Sequence, residues 1–278
     1  MPSIRVHRVH RVLALAAVLA VTACGSTTAT GTTERGSTAT GSTETGSTAT
    51  IDPDPGSTNA STPGPAVGER IAYGADPRQF GELWMPVGVE TPPVVVLIHG
   101  GFWSTPYDLT LMDPLAEDLV ARGDVVWNVE YRRLGESGGG WPGTFDDVAG
   151  AIDHLDVVSR THPIDLDRVV LVGHSAGGQL ALWAAGRSTL PAEAPGAGPL
   201  VAPVLAIGQG PVVDLASAAD RFLDGGTVID LLGGTPRDVP ERYTWATPSI
   251  VGDVPLVAVV GSDDNVVPGQ FSVEPSSP

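Results

Sequence analysis

Residues 173–177 read Gly-His-Ser-Ala-Gly and put a serine where it can act as a nucleophile. The segment follows a branched apolar run, 169–172, and precedes a helix-like stretch, 179–185. Glycines on both sides of a serine let the chain turn sharply from strand to helix without a Cβ clash. The pattern therefore predicts that Ser175 stands exposed at the end of a strand and does covalent chemistry.

A second glycine-rich segment, residues 99–103, reads His-Gly-Gly-Phe-Trp and follows the apolar run 94–98. Acyl transfer through a serine needs N–H donors aimed at the developing oxyanion, and such a loop can supply them. The other donor is expected from Ala176, the residue after the nucleophile. Gly-Gly after a strand is often a plain turn, but its combination with the Ser175 motif indicates an oxyanion hole. His99, at the base of this oxyanion loop (99–103), is interpreted as a structural hydrogen-bonding residue.

Apolar runs alternate with amphipathic stretches along the same part of the chain. Predicted strands cover 79–85, 94–98, 125–129, 169–172, 201–207 and 254–260, and predicted helices cover 112–121, 145–158 and the stretch after Ser175. This alternation is typical of an α/β fold with a mostly parallel sheet and helices on both faces. Ligands bind at the carboxyl ends of such strands, where Ser175 and the oxyanion loop are expected to meet.

Over about residues 69–270 the two motifs and the strand order resemble the α/β-hydrolase superfamily, in its esterase, lipase and kynurenine-formamidase-like branch. The resemblance implies that Ser175 is the nucleophile and that Gly101, Phe102 and Ala176 form the oxyanion hole. It implies no cofactor.

The segments 131–133 (Tyr-Arg-Arg) and 139–142 (Gly-Gly-Trp-Pro) look like the substrate-side loop of the same family. Trp141 either lines the substrate site or packs beneath the loop, and the sequence leaves both interpretations open.

The predicted acid follows the last apolar run. Residues 261–268, Gly-Ser-Asp-Asp-Asn-Val-Val-Pro, resemble the family's G-x-x-D-x-x-V-P segment, which implies Asp264 as the acid and leaves Asp263 as the alternative. The family's chain order then requires a histidine, yet none of the 14 residues after Asp264 is one. We expect the last strand and the closing helix to be missing. His174 is expected to point away from Ser175, so no replacement base is evident.

The N-terminus predicts export. Three arginines precede the short apolar run 12–21, and Thr-Ala-Cys-Gly follows at 22–25, which is typical of a signal peptide over residues 1–23. The segment also resembles a bacterial lipobox, which would make Cys24 a lipidated N-terminus; the alternative is an ordinary signal peptide. With lipidation, the protein is expected to be extracytoplasmic and anchored to the cell membrane.

Composition divides the remainder into two parts. Residues 24–68 are rich in Gly, Ser, Thr and Pro, with GSTAT and GSTET repeats, and are predicted to be a disordered tether. Residues 69–278 are predicted to be the hydrolase domain, incomplete at its C-terminus. The net charge of −17 argues against nucleic acid as a partner.

These features predict a secreted, lipid-anchored serine hydrolase that acts on a small ester or amide, with activity in doubt because no histidine follows the acid. The alternatives are a catalytically inactive surface-binding lipoprotein and a remnant that folds poorly. No His, Cys or carboxylate cluster has metal-ligand spacing, so no metal is expected.

Overall fold

The computed structural model describes residues 68–249 and 252–272. The predicted signal peptide, Cys24 and nearly all of the predicted tether therefore lie outside the described residues. No helix within the described ranges has the length and apolarity needed to cross a membrane.

The described chain forms one seven-stranded sheet. Its strands are β1 (Glu69–Ala72), β2 (Phe80–Trp84), β3 (Pro93–Ile98), β4 (Val125–Val129), β5 (Asp165–His174), β6 (Leu205–Gln209) and β7 (Leu256–Val259). They lie in the order β1-β2-β4-β3-β5-β6-β7. β1 and β2 pair antiparallel, as do β2 and β4, and all pairs from β4 to β7 are parallel. The predicted mostly parallel sheet is confirmed.

Seven α-helices connect these strands within the described ranges. They are α1 (Asp113–Ala121), α2 (Gly143–Asp153), α3 (Leu155–Val158), α4 (Ala176–Ala185), α5 (Leu215–Asp220), α6 (Thr227–Leu232) and α7 (Pro240–Ala246). Short 3-10 turns cover Leu109–Met112, Arg187–Thr189, Leu223–Gly226 and Gly269–Phe271. Among the described residues no strand follows β7.

Several boundaries differ from the sequence-based expectation. β5 begins at Asp165, four residues before the predicted start at 169, and β7 is shorter than the predicted 254–260. The predicted strand 201–207 begins only at Leu205. Its first hydrogen bond to β5 comes from the N–H of Val204, directly after Pro203, which has no N–H to donate. The predicted helix 145–158 is split at His154 into α2 and α3.

The core lies around the central strands. Every residue of β4 is buried, as are Val94–Ile98 of β3. All ten residues of α4 are also buried, and this helix packs on β5 and β6. Unbroken aliphatic strands are expected when both faces of a parallel sheet are covered. The core therefore fixes the carboxyl ends of β3, β5 and β6, where the predicted site residues lie.

Candidate active site

Ser175 occupies the sharp turn between β5 and α4. Its backbone has φ 53° and ψ −118°, a conformation that costs a non-glycine residue of order 1–3 kcal/mol and persists only when the surroundings enforce it. The Ser175 N–H donates to the carbonyl of Gln209 at 2.7 Å, which ties the turn to β6. The side chain is buried, with 8% of the residue exposed, so the serine is less open than the sequence predicts.

The two glycines of the motif are required by close packing. A Cβ on Gly173 would clash with the backbone of Gly177, and a Cβ on Gly177 would clash with the carbonyls of Ile98 and His99. The elbow and the base of the oxyanion loop thus meet backbone to backbone. This contact explains physically why the motif needs glycine at both positions.

The oxyanion loop has an unusual backbone. Gly101, Phe102 and Trp103 all have positive φ values, of 107°, 54° and 53°. The Phe102 carbonyl accepts hydrogen bonds from the Ser104 hydroxyl at 3.0 Å and from the Thr227 hydroxyl, on α6, at 3.1 Å. These bonds hold two successive non-glycine residues in the left-handed region.

The three predicted oxyanion-hole donors are free to bind a ligand. Within the described part of the chain, the N–H groups of Gly101, Phe102 and Ala176 donate no hydrogen bond to another residue. Ala176 is the first residue of α4, where an N–H has no partner inside the helix. The helix dipole also places partial positive charge there.

Trp103 connects the oxyanion loop to the elbow helix. Its side chain is fully buried, and its Nε1–H donates to Gln179 Oε1, on α4, at 3.1 Å. Gln179 in turn donates through Nε2 to the carbonyl of Ala246 at 2.7 Å. Sequence analysis missed Gln179 because one glutamine in an apolar helix gives no recognisable motif.

His99 belongs to a buried polar layer beneath the loop. Its Nδ1–H donates to the Gly100 carbonyl at 2.8 Å, and its Nε2 faces Glu130 Oε1 at 3.4 Å. Tyr131 stacks on the ring at a centroid distance of 4.3 Å and donates its hydroxyl hydrogen to the His99 carbonyl. The geometry agrees with a structural role for His99.

Glu130 is the centre of that layer. Its carboxylate accepts from the N–H groups of Leu109 and Tyr131 and pairs with the buried Arg133 at 3.4 Å. Burial raises the pKa of Glu130, but the hydrogen bond and charge of His99, together with Arg133, outweigh burial and leave the pKa lowered.

The candidate substrate-side segments are largely packed. Tyr131 and Arg133 are buried within the layer just described. Trp141 is half-buried and packs against Phe145 at 5.1 Å and stacks on Trp245 at 6.4 Å between ring centroids. These contacts favour the packing interpretation of Trp141.

The loop after β7 holds the two candidate acids differently. Asp264 Oδ1 accepts from the N–H groups of Val266 and Val267, both at 2.9 Å. Asp264 Oδ2 faces Gly210, at the end of β6, where a Cβ would lie 3.3 Å from it. The side chain of Asp263 is exposed and forms no hydrogen bond with a described residue. Of the two candidate acids, Asp264 is therefore the one whose carboxylate is held in place by hydrogen bonds.

His174 is the last residue of β5, at the carboxyl end of the strand, and it is exposed. Partial burial lowers the pKa of His174, and the Asp264 carboxylate opposes this effect by raising it. Among the described residues, no group of three His, Cys, Asp or Glu side chains is arranged to hold a metal ion.

A cavity of about 530 Å³ lies beside Ser104 and Thr105, the residues that follow the oxyanion loop. It is bounded by polar side chains from three segments, with one leucine and one glycine: Ser104, Thr105, Leu134, Gly135, Asp224, Thr227 and Asp230. Because Thr227 also binds the Phe102 carbonyl, the cavity wall and the oxyanion loop are joined directly.

Several solved structures share this architecture. The chain is similar to a bifunctional GH43-CE protein of Bacteroides eggerthii, with a TM-score of 0.63 and 20% identity over 74% of this chain and 32% of that one. It is similar to esterase B of Lactobacillus rhamnosis inhibited by a tributyrin phosphonate, with a TM-score of 0.61 and 25% identity over 72% and 65% of the two chains. It is also similar to a thermophilic esterase of Thermogutta terrifontis with bound butyrate. The TM-score is 0.59, and the identity is 21% over 73% of this chain and 75% of that one.

The chain thus spans about a third of the length of the Bacteroides protein. None of the curated proteins matches it in sequence. The profile of the BD-FAE family matches residues 82–277, which is well over half of the chain and includes the oxyanion loop, Ser175 and Asp264. This match and the shared fold assign the protein to the BD-FAE family, within the esterase-like branch of the α/β-hydrolases.

Proposed function

We propose that the protein is a serine ester hydrolase in which Ser175 attacks the carbonyl carbon of the substrate. The observation that carries this proposal is the strained turn at Ser175, which precedes Ala176 and packs against the base of the oxyanion loop. The N–H groups of Gly101, Phe102 and Ala176 donate to no other described residue. Strained conformations of this kind are concentrated at functional sites. Gly101, Phe102 and Ala176 would stabilise the oxyanion of the tetrahedral intermediate.

Preorganised N–H donors usually contribute more to the rate of acyl transfer than any other group. Removing one oxyanion-hole donor typically costs about 10²–10³ in kcat, because the donors act on charge that develops only in the transition state. The hydrogen bonds to the Phe102 carbonyl and the Trp103–Gln179 pair support the loop before substrate binds. The proposed oxyanion hole therefore needs little rearrangement when the substrate binds.

Asp264 is the proposed acid of the site. Its Oδ1 is held by two N–H groups while Oδ2 faces the end of β6, which supports Asp264 over the exposed Asp263. A carboxylate at this position would stabilise a cationic imidazole formed during the reaction.

The names of two similar structures suggest the acyl group. Esterase B was solved with a tributyrin phosphonate and the Thermogutta esterase with butyrate. We therefore propose a short acyl chain as substrate.

An amide, which has a poorer leaving group than an ester, is expected to react with Ser175 more slowly than the corresponding ester.

The test is hydrolysis of p-nitrophenyl butyrate by the wild type and by Ser175→Ala. Ser159→Ala is the matched control, because Ser159 also carries a hydroxyl but lies after α3, away from the elbow. We expect wild type and Ser175→Ala to differ by at least tenfold and Ser159→Ala to equal the wild type. Equal rates for wild type and Ser175→Ala would favour the inactive binding protein instead.

We also propose that the protein is exported and anchored through lipidated Cys24. The arginines before a short apolar run and the single cysteine after Thr-Ala support this proposal from the sequence.

A further inference from the structure

Tyr107 packs directly on Gly101, one of the proposed oxyanion-hole donors. The position that a Cβ on Gly101 would occupy is already filled by this side chain, whose Cβ, Cγ and Cδ2 lie 2.3, 2.4 and 2.5 Å from it. These separations place Tyr107 Cβ and Cγ within about 4 Å of the Gly101 Cα, which is van der Waals contact. Glycine at residue 101 therefore lets the tyrosine approach the oxyanion loop.

Tyr107 is open to solvent as well as packed on the loop. The residue is 44% exposed, and its hydroxyl forms no hydrogen bond with another residue of the described ranges. Small-molecule sites are lined mainly by apolar and aromatic side chains. An aromatic ring that borders a proposed donor and is not covered by the protein is therefore available to a substrate.

The backbone on both sides of Tyr107 is held by hydrogen bonds. On its N-terminal side the Ser104 N–H donates to the Gly101 carbonyl at 3.0 Å. On its C-terminal side the Leu109 N–H donates to Glu130 Oε2 at 3.2 Å. The side chain of Tyr107 therefore starts from a fixed point beside Gly101.

An ester bound in the proposed oxyanion hole comes within reach of this ring. An oxyanion that accepts from the Gly101 N–H lies about 2.9 Å from that nitrogen. The nitrogen is itself within about 5 Å of Tyr107 Cβ and Cγ, because it is bonded to the same Cα as the Cβ position that they surround. The first carbons attached to the reacting carbonyl are therefore close enough for a tyrosine ring to contact them.

We propose that Tyr107 is a specificity-determining residue whose ring limits the size of the ester substituent on the Gly101 side of the oxyanion hole. This role rests on the proposed function and names a residue that favours a short substituent over a long one. A ring that starts from a fixed backbone takes up volume that a longer chain needs, and forcing extra methylenes against it costs free energy.

The test measures kcat/KM of the full chain for short and long esters. p-Nitrophenyl acetate and hexanoate vary the acyl chain, and ethyl and hexyl butyrate vary the alcohol. A methylene that an apolar pocket accepts is worth about 10–200-fold, so Tyr107→Ala should raise the long-to-short ratio of kcat/KM in one of the two series by about tenfold or more. Tyr107→Trp, with a larger ring, should lower the same ratio.

Two variants separate the ring from other effects. Tyr107→Phe keeps the ring and removes a hydroxyl that has no partner in the described chain, so both ratios should match the wild type. Val157→Ala is the control for the loss of an exposed apolar side chain. Val157 is 46% exposed and lies on α3, before the amino end of β5, whereas Ser175 follows the carboxyl end. Its ratios should also match the wild type.

A ratio of two kcat/KM values does not depend on the fraction of enzyme that is folded, so poor folding of Tyr107→Ala cannot produce the expected shift. Hydrolysis that depends on Ser175, with both ratios unchanged in Tyr107→Ala and Tyr107→Trp, would overturn the role of Tyr107 alone. A shift toward short esters in Tyr107→Ala would also overturn it, because the ring would then attract long substituents. A wild type no faster than Ser175→Ala would overturn the proposed function and the role of Tyr107 with it.

Discussion

Backbone strain is concentrated at the residues that we assign to catalysis. Five non-glycine residues in the described chain have positive φ, and three of them are Phe102, Trp103 and Ser175. Each costs free energy that packing must offset. The offset at the oxyanion loop comes from the burial of Trp103 and from the two hydroxyls that bind the Phe102 carbonyl.

Trp103→Phe tests this support. The change removes the indole N–H and leaves Gln179 Oε1 buried without its donor, so we expect a loss of about 1–3 kcal/mol in unfolding free energy. We expect a larger fall in kcat than change in KM, because the N–H groups of the oxyanion loop lose their alignment. Denaturant unfolding and steady-state kinetics measure the two effects.

Trp84→Phe is the control for the tryptophan change. The Trp84 Nε1 is buried but has no hydrogen-bond partner within the described residues, so its removal should cost less stability and leave kcat unchanged. Equal effects of the two substitutions would contradict the role of the Trp103–Gln179 bond.

The elements were predictable where the sequence has a strong local signal. Aliphatic runs identify β3, β4 and β5, and the glycine spacing identifies the turn before α4. The motifs at 99–103 and 173–177 could be identified from the sequence for the same reason. The Trp103–Gln179 bond and the close packing of Gly177 on the carbonyls of Ile98 and His99 depend on the approach of distant segments, which no local pattern encodes.

Gly177→Ala tests the contact between α4 and the oxyanion loop. The new Cβ would clash with the carbonyls of Ile98 and His99, so we expect a loss of about 1–3 kcal/mol or more from overpacking. Gly150→Ala is the control within a helix, since its Cβ would lie 3.9 Å from the nearest atom, on Tyr73. It should stabilise the protein by about 0.5–1 kcal/mol. Similar unfolding midpoints for both variants would contradict the packing argument.

Glu130→Gln tests the layer beneath the loop through pH. Because the folded pKa of Glu130 is lowered, its carboxylate stabilises the fold above the unfolded pKa of about 4.3, and this contribution is lost as pH falls through the folded pKa. The variant should be about 1.5–3 kcal/mol less stable at pH 7, because the N–H groups of Leu109 and Tyr131 lose a charged acceptor. Arg133 keeps its closer partner, Glu136. The difference in unfolding free energy between the wild type and Glu130→Gln should become smaller below about pH 4. A pH-independent difference in urea unfolding would contradict this assignment.

At the scale of the whole molecule, the sequence predicts a hydrolase domain attached to an exported, lipidated N-terminus. The fold and the family of the domain are established, and the anchor remains a proposal from residues 1–24, which lie outside the described ranges. The acidic composition argues against binding of such a domain to anionic surfaces by charge alone. Attachment would therefore depend on the lipid.

Cys24→Ala tests the anchor in a bacterial host that processes lipoproteins. The wild type should partition into the detergent phase, and the variant should be soluble or unprocessed, because the acyl chains supply the membrane affinity. Mass spectrometry of the N-terminus identifies the modification. A soluble wild type with a free N-terminal thiol would contradict lipidation.

The most direct test of the central claim is the position of a covalent adduct. The 278-residue chain is incubated with an alkyl fluorophosphonate, and the modified peptide is identified by mass spectrometry. We predict one adduct, on Ser175, that is absent from Ser175→Ala, because the strained turn and the N–H groups that donate to no other described residue favour attack there. No adduct after prolonged incubation, or an adduct on another residue, would contradict the assignment of Ser175 as the nucleophile.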